Sequence, residues 1–459
     1  IMEQRRSMNL VNSVSSDFFG DVAEGSVGEF LKNVPGVDVD YVGPDARGPR
    51  LRGLDPQYVG VSVDGVKLAS ADGSQGVGGG ARSFSFDQVS VNSLDRIEVN
   101  YTTSADQDAD APAGTINLKT KRAFERKGRR ISWQTHFMAN GDNFTWRREP
   151  GPSDIRTHKF RPGAIVEYSD VFLSGRLGVV LNLSESSQYV VQSRLDQSYN
   201  AVPTATDPRP RVLTGVNFLS NPRLTERFTP SLTVDFRASP SLVLSLSAMY
   251  NLFDAFIDNR QVNVIASGRA AVTGDGLTDF TIANGSASVA MSTNHEHKFA
   301  QTRTLTPKFE YKLGSLTVDG TFNYSRSKND YETSSRGTIR VESMNSAVAD
   351  FRATRPNPQS AEWTIVQTGG PDWGNLANYT NPRTSEEGRF AVTEIYTGEV
   401  NAKYVTPWSL PTFLKFGFKA AEEYRKTDNT VPYLTWSYIG PGGGTTGSWA
   451  AYPSQRVFN

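Results

Sequence analysis

With four histidines and no cysteine, this chain has a narrow range of chemistry open to it. Without thiols there is no cysteine nucleophile, no thiolate metal site and no disulfide. His295-Glu296-His297 puts two imidazoles at i and i+2, one face of a strand, which is two metal ligands without a third; a polar loop is the favoured reading. Asp106-Gln107-Asp108-Ala109-Asp110 has the alternating carboxylates that open a calcium loop. However, Ala111 stands where the sharp turn needs glycine and Asn117 where the bidentate glutamate belongs, so a solvated loop is expected. The glycine-rich stretch Leu68 to Arg82 lacks the Lys-Ser/Thr ending of a phosphate-binding loop. No G-x-S-x-G or H-E-x-x-H appears. Paired carboxylates cannot be located from sequence alone, so a glycosidase stays formally open. The expectation is a protein with no catalytic residues, no metal and no cofactor, and not an enzyme.

The elements that would position side chains come in two grammars. Residues 1–122 read as a mixed α/β module. Asp17 to Lys32 has loose helical spacing at Val22, Val27, Phe30 and Leu31, stopped by Pro35-Gly36. Short β-like runs follow at Val37 to Val42, Tyr58 to Val66, Leu94 to Tyr101 and Gly114 to Thr120, with Asp64-Gly65 as a hairpin turn. Gly36, Gly53, Gly65 and Gly114 suit turns that need positive φ or close backbone approach.

After a linker at 123–130, within a run of six basic residues expected to be solvated, two-residue alternation dominates 131–459. Phe228, Leu232, Val234 and Phe236 interleave with Thr229, Ser231, Thr233 and Asp235; Leu242, Leu244, Leu246 and Ala248 interleave mostly with serines. Nine such runs fall near 131–139, 159–169, 174–184, 226–237, 241–252, 303–312, 315–326, 390–404 and 412–425. At about 10–14 residues they match tilted strands crossing a bilayer. Short turns join some of them, while 185–225, 253–302 and 327–389 read as long polar loops, the asymmetry of an outer-membrane barrel. Aromatics near run ends (Tyr250, Phe253, Tyr324, Tyr404, Trp408, Tyr424) suit interfacial girdles. Lys plus Arg and Asp plus Glu both total 48, a balance that argues against nucleic-acid binding.

The module carries an ordered set of motifs. Leu31-Lys32-Asn33-Val34-Pro35-Gly36-Val37 resembles L-x-x-x-P-G-V, Arg50-Leu51-Arg52-Gly53 resembles I-R-G, and Val61-Ser62-Val63-Asp64-Gly65-Val66 resembles V-x-V-D-G-V. Leu94 to Val99 resembles I-E-R-I-E-V, and Ala113 to Lys121 resembles G-G-x-I-N-I-x-T-K, with Ala113 in place of the first glycine. Together they resemble the plug of TonB-dependent outer-membrane receptors.

That resemblance implies a mainly β protein: a small α/β plug domain followed by an antiparallel transmembrane β-barrel. Plugged barrels have 22 strands, so nine strands and a polar, glycine-rich end (Gly440 to Gly447) lead to the expectation of an incomplete one. It further implies active uptake across the bacterial outer membrane of a scarce nutrient (siderophore-iron, cobalamin or oligosaccharide), with plug displacement as the gate. The implied partners are the inner-membrane TonB complex, although no TonB box is visible, outer-membrane lipid and lipopolysaccharide, and the ligand; no nucleic acid is expected, and the chain is expected to be a monomer. In such plugs Arg52 and Arg96 would face barrel glutamates, for which strand parity offers Glu310 and Glu399. The loop bearing Asp72, Gln75 and Arg82 would reach toward substrate. Trp146, Trp363 and Trp373, with Tyr379 and Trp436, could stack on sugars or pack the loops. The rival readings are a secreted β-rich adhesin or carbohydrate-binding protein, and a hydrolase on a β scaffold.

Overall fold

The computed structural model describes residues 10–15, 26–43, 45–71, 83–91, 94–102, 110–125, 128–141, 145–152, 156–266, 268–269, 272–282, 285–332, 339–346, 349–409, 412–428 and 434–442. The N-terminal module holds β1 (Val11–Ser15), the short helix α1 (Val27–Leu31), β2 (Val37–Val42), β3 (Asp45–Leu51), β4 (Val59–Val63), β5 (Val66–Lys67), β6 (Leu94–Asn100) and β7 (Gly114–Thr120). Five strands make one sheet in the order β1-β6-β7-β4-β5, with β4 and β7 parallel; β2 and β3 form a separate hairpin. Alternation explains the sheet's inner face: Val59, Val61, Val63, Ile97, Val99, Ile116 and Leu118 share one buried apolar core with Val27, Phe30 and Leu31 of α1. Ser26 caps α1 by accepting from the Glu29 amide. The helix expected from Asp17 is described only over Val27–Leu31, residues 16–25 lying outside the described ones.

Gly36, Gly53, Gly65 and Gly114 all have positive φ. Gly114 is the most constrained: φ is +121°, and a Cβ there would lie 2.3 Å from the Asn100 carbonyl oxygen. Strain at such a position costs about 1–3 kcal/mol. Gly114→Ala should therefore lower the melting temperature of the module, while Gly128→Ala, with open space around it, should cost less.

The rest of the described chain is β. Its strands are β8 (Arg130–Met138), β9 (Arg148–Pro150), β10 (Arg156–His158), β11 (Arg161–Phe172), β12 (Leu177–Asn200), β13 (Val212–Ser239), β14 (Leu242–Ala266), β15 (Val272–Gly274), β16 (Asp279–Ile282) and β17 (Ala287–Leu313). They continue with β18 (Leu316–Glu332), β19 (Ile339–Ser346), β20 (Asp350–Thr354), β21 (Thr364–Gly369), β22 (Tyr379–Glu387), β23 (Arg389–Val405), β24 (Phe413–Asp428) and β25 (Leu434–Ser437). Nine of them build a continuous antiparallel wall, β24-β23-β18-β17-β14-β13-β12-β11-β8, the nine expected from alternation. Among the described residues β8 and β24 each pair with one neighbour in this wall, so it is an open arc.

The register exposes the wall's logic. Leu244, Phe309, Val400 and Phe418 stand in one row on the outer face, and Leu305, Tyr324 and Tyr396 in another; most of these side chains are exposed. From Leu305 to Leu313 the outer-facing residues of β17 cover about 27 Å of strand. A tilt of about 40° reduces this to roughly 21 Å, near the ~25 Å apolar band of outer-membrane barrels. Tyr250, Tyr324, Tyr396 and Tyr424 edge this band on the long-loop side, with the Tyr324 and Tyr396 rings 5.0 Å apart. The opposite face is small and polar: Thr302–Ser327, Thr304–Ser325 and Thr306–Asn323 bond across the wall at 2.9–3.2 Å. Leu246→Arg, on the outer face, should then cost about 2–4 kcal/mol of stability in lipid, read from denaturant titration in vesicles, whereas Leu246→Val should be tolerated.

Two expectations need correcting here. Residues 185–225 and 253–302 are mostly strand, because β12, β13, β14 and β17 run on for 24–28 residues. Beyond the bilayer a strand has no lipid face, so apolar alternation fades while the backbone ladder continues. In the region 253–389 the sheet β15-β16-β20-β21 closes a second core around Phe280, Phe351, Trp363 and Tyr379. Phe253 is no girdle residue: it is fully buried on the inner face.

Candidate functional site at the module–wall interface

The module sits against the polar inner face. Among the described residues only Met249 of the wall joins its apolar core, and polar contacts make up the rest of the seat. They fall into three groups.

The first is buried and charged. Asp87, in a 3-10 turn, accepts from Lys298 Nζ at 2.7 Å, with Arg47 Nε at 3.3 Å and Arg227 at 3.8 Å. Asp87 and Lys298 are completely buried. Arg227 and Lys298 lie over the Phe253 ring, 4.8 and 5.5 Å from its centroid, and Asn251 Nδ2 donates to the Asp87 carbonyl at 2.8 Å. Burial alone would raise the Asp87 pKa, but Lys298, Arg47 and Arg227 hold it well below the usual carboxylate range. Beside this cluster Asp45 pairs with Arg223, both buried.

The second group is neutral. Just after β5, residues 67–71 lie along β18 and β23 like an extra strand bonded to side chains. Asn323 Nδ2 donates to the Lys67 carbonyl (3.1 Å), while the Ala69 and Ala71 amides donate to Ser325 and Ser327 Oγ (both 3.0 Å). Thr393 Oγ1 donates to the Ser70 carbonyl at 3.1 Å. The two-residue steps 323-325-327 and 67-69-71 match because both segments are extended.

The third group is made of further ion pairs. Lys308 Nζ donates to the Asp64 carbonyl at 3.0 Å and lies 3.7 Å from its carboxylate. Burial works against ionised Asp64, yet Lys308 and bonds from Thr120 leave its pKa lowered. Lys67 pairs with Glu423 at 2.9 Å and Asp110 at 3.2 Å; burial opposes its charge, but these carboxylates raise its pKa. Of the basic run expected to be solvated, Lys121, Arg122 and Arg129 pair with the wall acids Glu167, Asp235 and Asp170 at 2.7–3.7 Å, while Arg129 and Arg130 are exposed.

Several residues singled out by sequence lie elsewhere. Arg52 donates to the Ala113 carbonyl, and Arg96 pairs with Glu98 and Asp95 on its own strand. Both bond within the module, because β6 and the 51–53 turn face its own sheet. Glu310 pairs with Lys312, and Glu399 accepts from Asn401 while lining a cavity of about 270 Å³ beside Lys67 and Glu423. At Asp87, Asp45 and Asp64 the expected polarity is reversed, with module aspartates meeting wall cations, whereas at Lys67, Lys121 and Arg122 module cations meet wall acids. Asp72, Gln75 and Arg82, like Asp106 to Ala109, lie outside the described residues. Trp363 is buried and donates to Tyr199 Oη at 3.0 Å, and Trp373 packs on the same core; neither is an open stacking face. Trp146 is exposed. His295 and His297 each bond an aspartate, Asp258 and Asp254, and no metal cluster occurs among the described residues.

Residues 3–115 match the TonB-dependent receptor plug domain model. This is the plug domain of a TonB-dependent receptor. Among curated proteins none matches the sequence. Similar solved structures include the unliganded ferric citrate transporter FecA, at 10% identity over 92% of this chain and 75% of that one, TM-score 0.32. The siderophore receptor PirA from Pseudomonas aeruginosa is 13% identical over 91% and 81%, TM-score 0.33. A variant of the Serratia marcescens hemophore receptor HasR, in complex with its hemophore HasA and heme, is 10% identical over 92% and 80%, TM-score 0.28. A plug of this family, seated behind a wall with an apolar outer face, places the receptor in the bacterial outer membrane.

Proposed function

We propose that this receptor imports a scarce nutrient by TonB-dependent active uptake, with displacement of the plug as the gate. In this reading residues 1–122 are the plug, 123–130 the linker and 131–459 the wall with its outer extensions. The observation that carries it is the polar seat: among the described residues, one wall residue in the plug's apolar core, and otherwise hydrogen bonds and ion pairs. An apolar seam resists separation because both faces meet water, whereas polar partners regain hydrogen bonds to water as they part. The inner-membrane TonB complex would supply the pull, the chain acting as a monomer with outer-membrane lipid and lipopolysaccharide around it.

Cells carrying the receptor should accumulate its ligand only while energised. A protonophore should abolish accumulation and leave surface binding intact. Accumulation that continues after de-energisation would point to a passive pore.

A further inference from the structure

The plug's seat carries both signs of charge, and they are sorted by place. On the inner face of β13 and β17, Arg223, Arg227 and Lys298 receive the plug aspartates Asp45 and Asp87. Elsewhere the signs invert. The acids Glu167 of β11, Asp235 of β13 and Glu423 of β24 receive Lys121 (2.7 Å), Arg122 (3.7 Å) and Lys67 (2.9 Å). Strand β13 contributes to both patches: Asp235 lies eight residues beyond Arg227 on the same face, about 27 Å along the strand. We infer that this two-signed pattern is a key that steers the displaced plug back to one depth and one orientation. The inference rests on the uptake reading, in which the plug leaves its seat and must return to it.

When the plug leaves, the wall keeps an unmatched cationic patch and an unmatched acidic one. In a wet lumen such charges act over about a screening length, before any contact forms. Complementarity of this kind sets the rate and register of docking more than its final strength. A plug seated too shallow or turned aside would bring Lys121 toward Arg227 and Lys298, or Asp87 toward Asp235 and Glu167, like against like. The pattern is also irregular, since Lys308 on β17 meets Asp64, and irregularity leaves fewer false fits.

The neutral contacts cannot do this work. The bonds at Ala69, Ser70 and Ala71 form only within hydrogen-bond distance, so they lock a plug that has already arrived. Docking then changes the response to salt. Asp87 and Lys298 end completely buried, and Asp45 and Arg223 nearly so, where dissolved ions screen them far less. Salt should therefore slow the return and leave the departure almost untouched.

The test follows the return in the full chain. The chain has no cysteine, and Ala71 is fully buried and bonded to the wall, so Ala71→Cys should react with a thiol reagent only while the plug is out. A pulse of urea, which is uncharged, displaces the plug of the receptor in micelles; dilution starts the return, and alkylation at intervals reads it. Raising salt from about 0.05 to 1 M should slow re-protection about tenfold or more, with the opening rate in urea changing less than about twofold. Lys121→Glu should slow the return about threefold or more at low salt, and Glu167→Lys added to it should recover most of the loss. Re-protection at a rate indifferent to salt, or a swapped pair that recovers nothing, overturns the key and leaves plug displacement standing. A thiol that stays protected until the wall itself unfolds would sink the uptake reading instead.

Discussion

Asp87→Ala is expected to cost about 3–5 kcal/mol, the penalty for stripping the counter-ion from buried charges. Three cations, Arg47, Arg227 and Lys298, converge on this one carboxylate with almost no access to water. Removing it leaves them facing each other across a low-dielectric gap that the Phe253 ring relieves only in part. Lys298→Met should cost clearly less, since Asp87 keeps two arginines and the methionine keeps most of the packing volume. Thermal unfolding in micelles, with protease cleavage of the plug as a second readout, would rank the two variants. A cost for Asp87→Ala no greater than for removing the exposed Lys312–Glu310 pair would remove the cluster's role as the main anchor.

The same cluster sets an acid response. A carboxylate depressed in the folded state contributes stability that is complete above its unfolded pKa of about 4 and is lost as the pH falls through the folded value. Since Asp87 lies well below the usual range, acidification from pH 7 to 5 should leave the plug seated. Plug release in that window, seen as new protease sites, would mean that another group controls the seat.

The second large effect concerns transport. Ala69→Cys with Ser325→Cys should form a disulfide that cuts energised uptake more than tenfold without changing ligand binding, and reductant should restore uptake. The chain has no cysteine, so the pair is chemically alone. The 3.0 Å bond from the Ala69 amide to Ser325 Oγ keeps the two Cα atoms within about 7 Å, inside disulfide reach. The neutral contacts at 69–71 make this the segment easiest to part from the wall. Uptake that persists with the bridge intact would show that 67–71 stays on the wall while the ligand passes.

Much of this architecture was legible in the sequence. The nine wall strands could be read because lipid on one side and water on the other force a two-residue period, and β7 could be read to its ends. Where that constraint stops, legibility stops too. The outer halves of β12, β13, β14 and β17 look like loop sequence since nothing greasy faces them, yet backbone pairing continues. Trp363 could be read as stacking face or packing residue, with packing favoured, and its place in the core of the outer sheet decided between them.

The interface was the least legible part. Resemblance pointed to Arg52 and Arg96, whereas Asp87, Asp45 and the 67–71 segment make the contacts, and no local pattern marks them. Arg47, Asp87, Arg227 and Lys298 are scattered along the chain and share a site only after four separate elements have folded. Periodicity is a local property, set by which solvent each face meets, so the sequence by itself determined the wall, its polarity and the plug's sheet. Pairing between distant charges depends on curvature, register and depth of seating together, and only the tertiary structure decided which aspartates the wall's cations would hold.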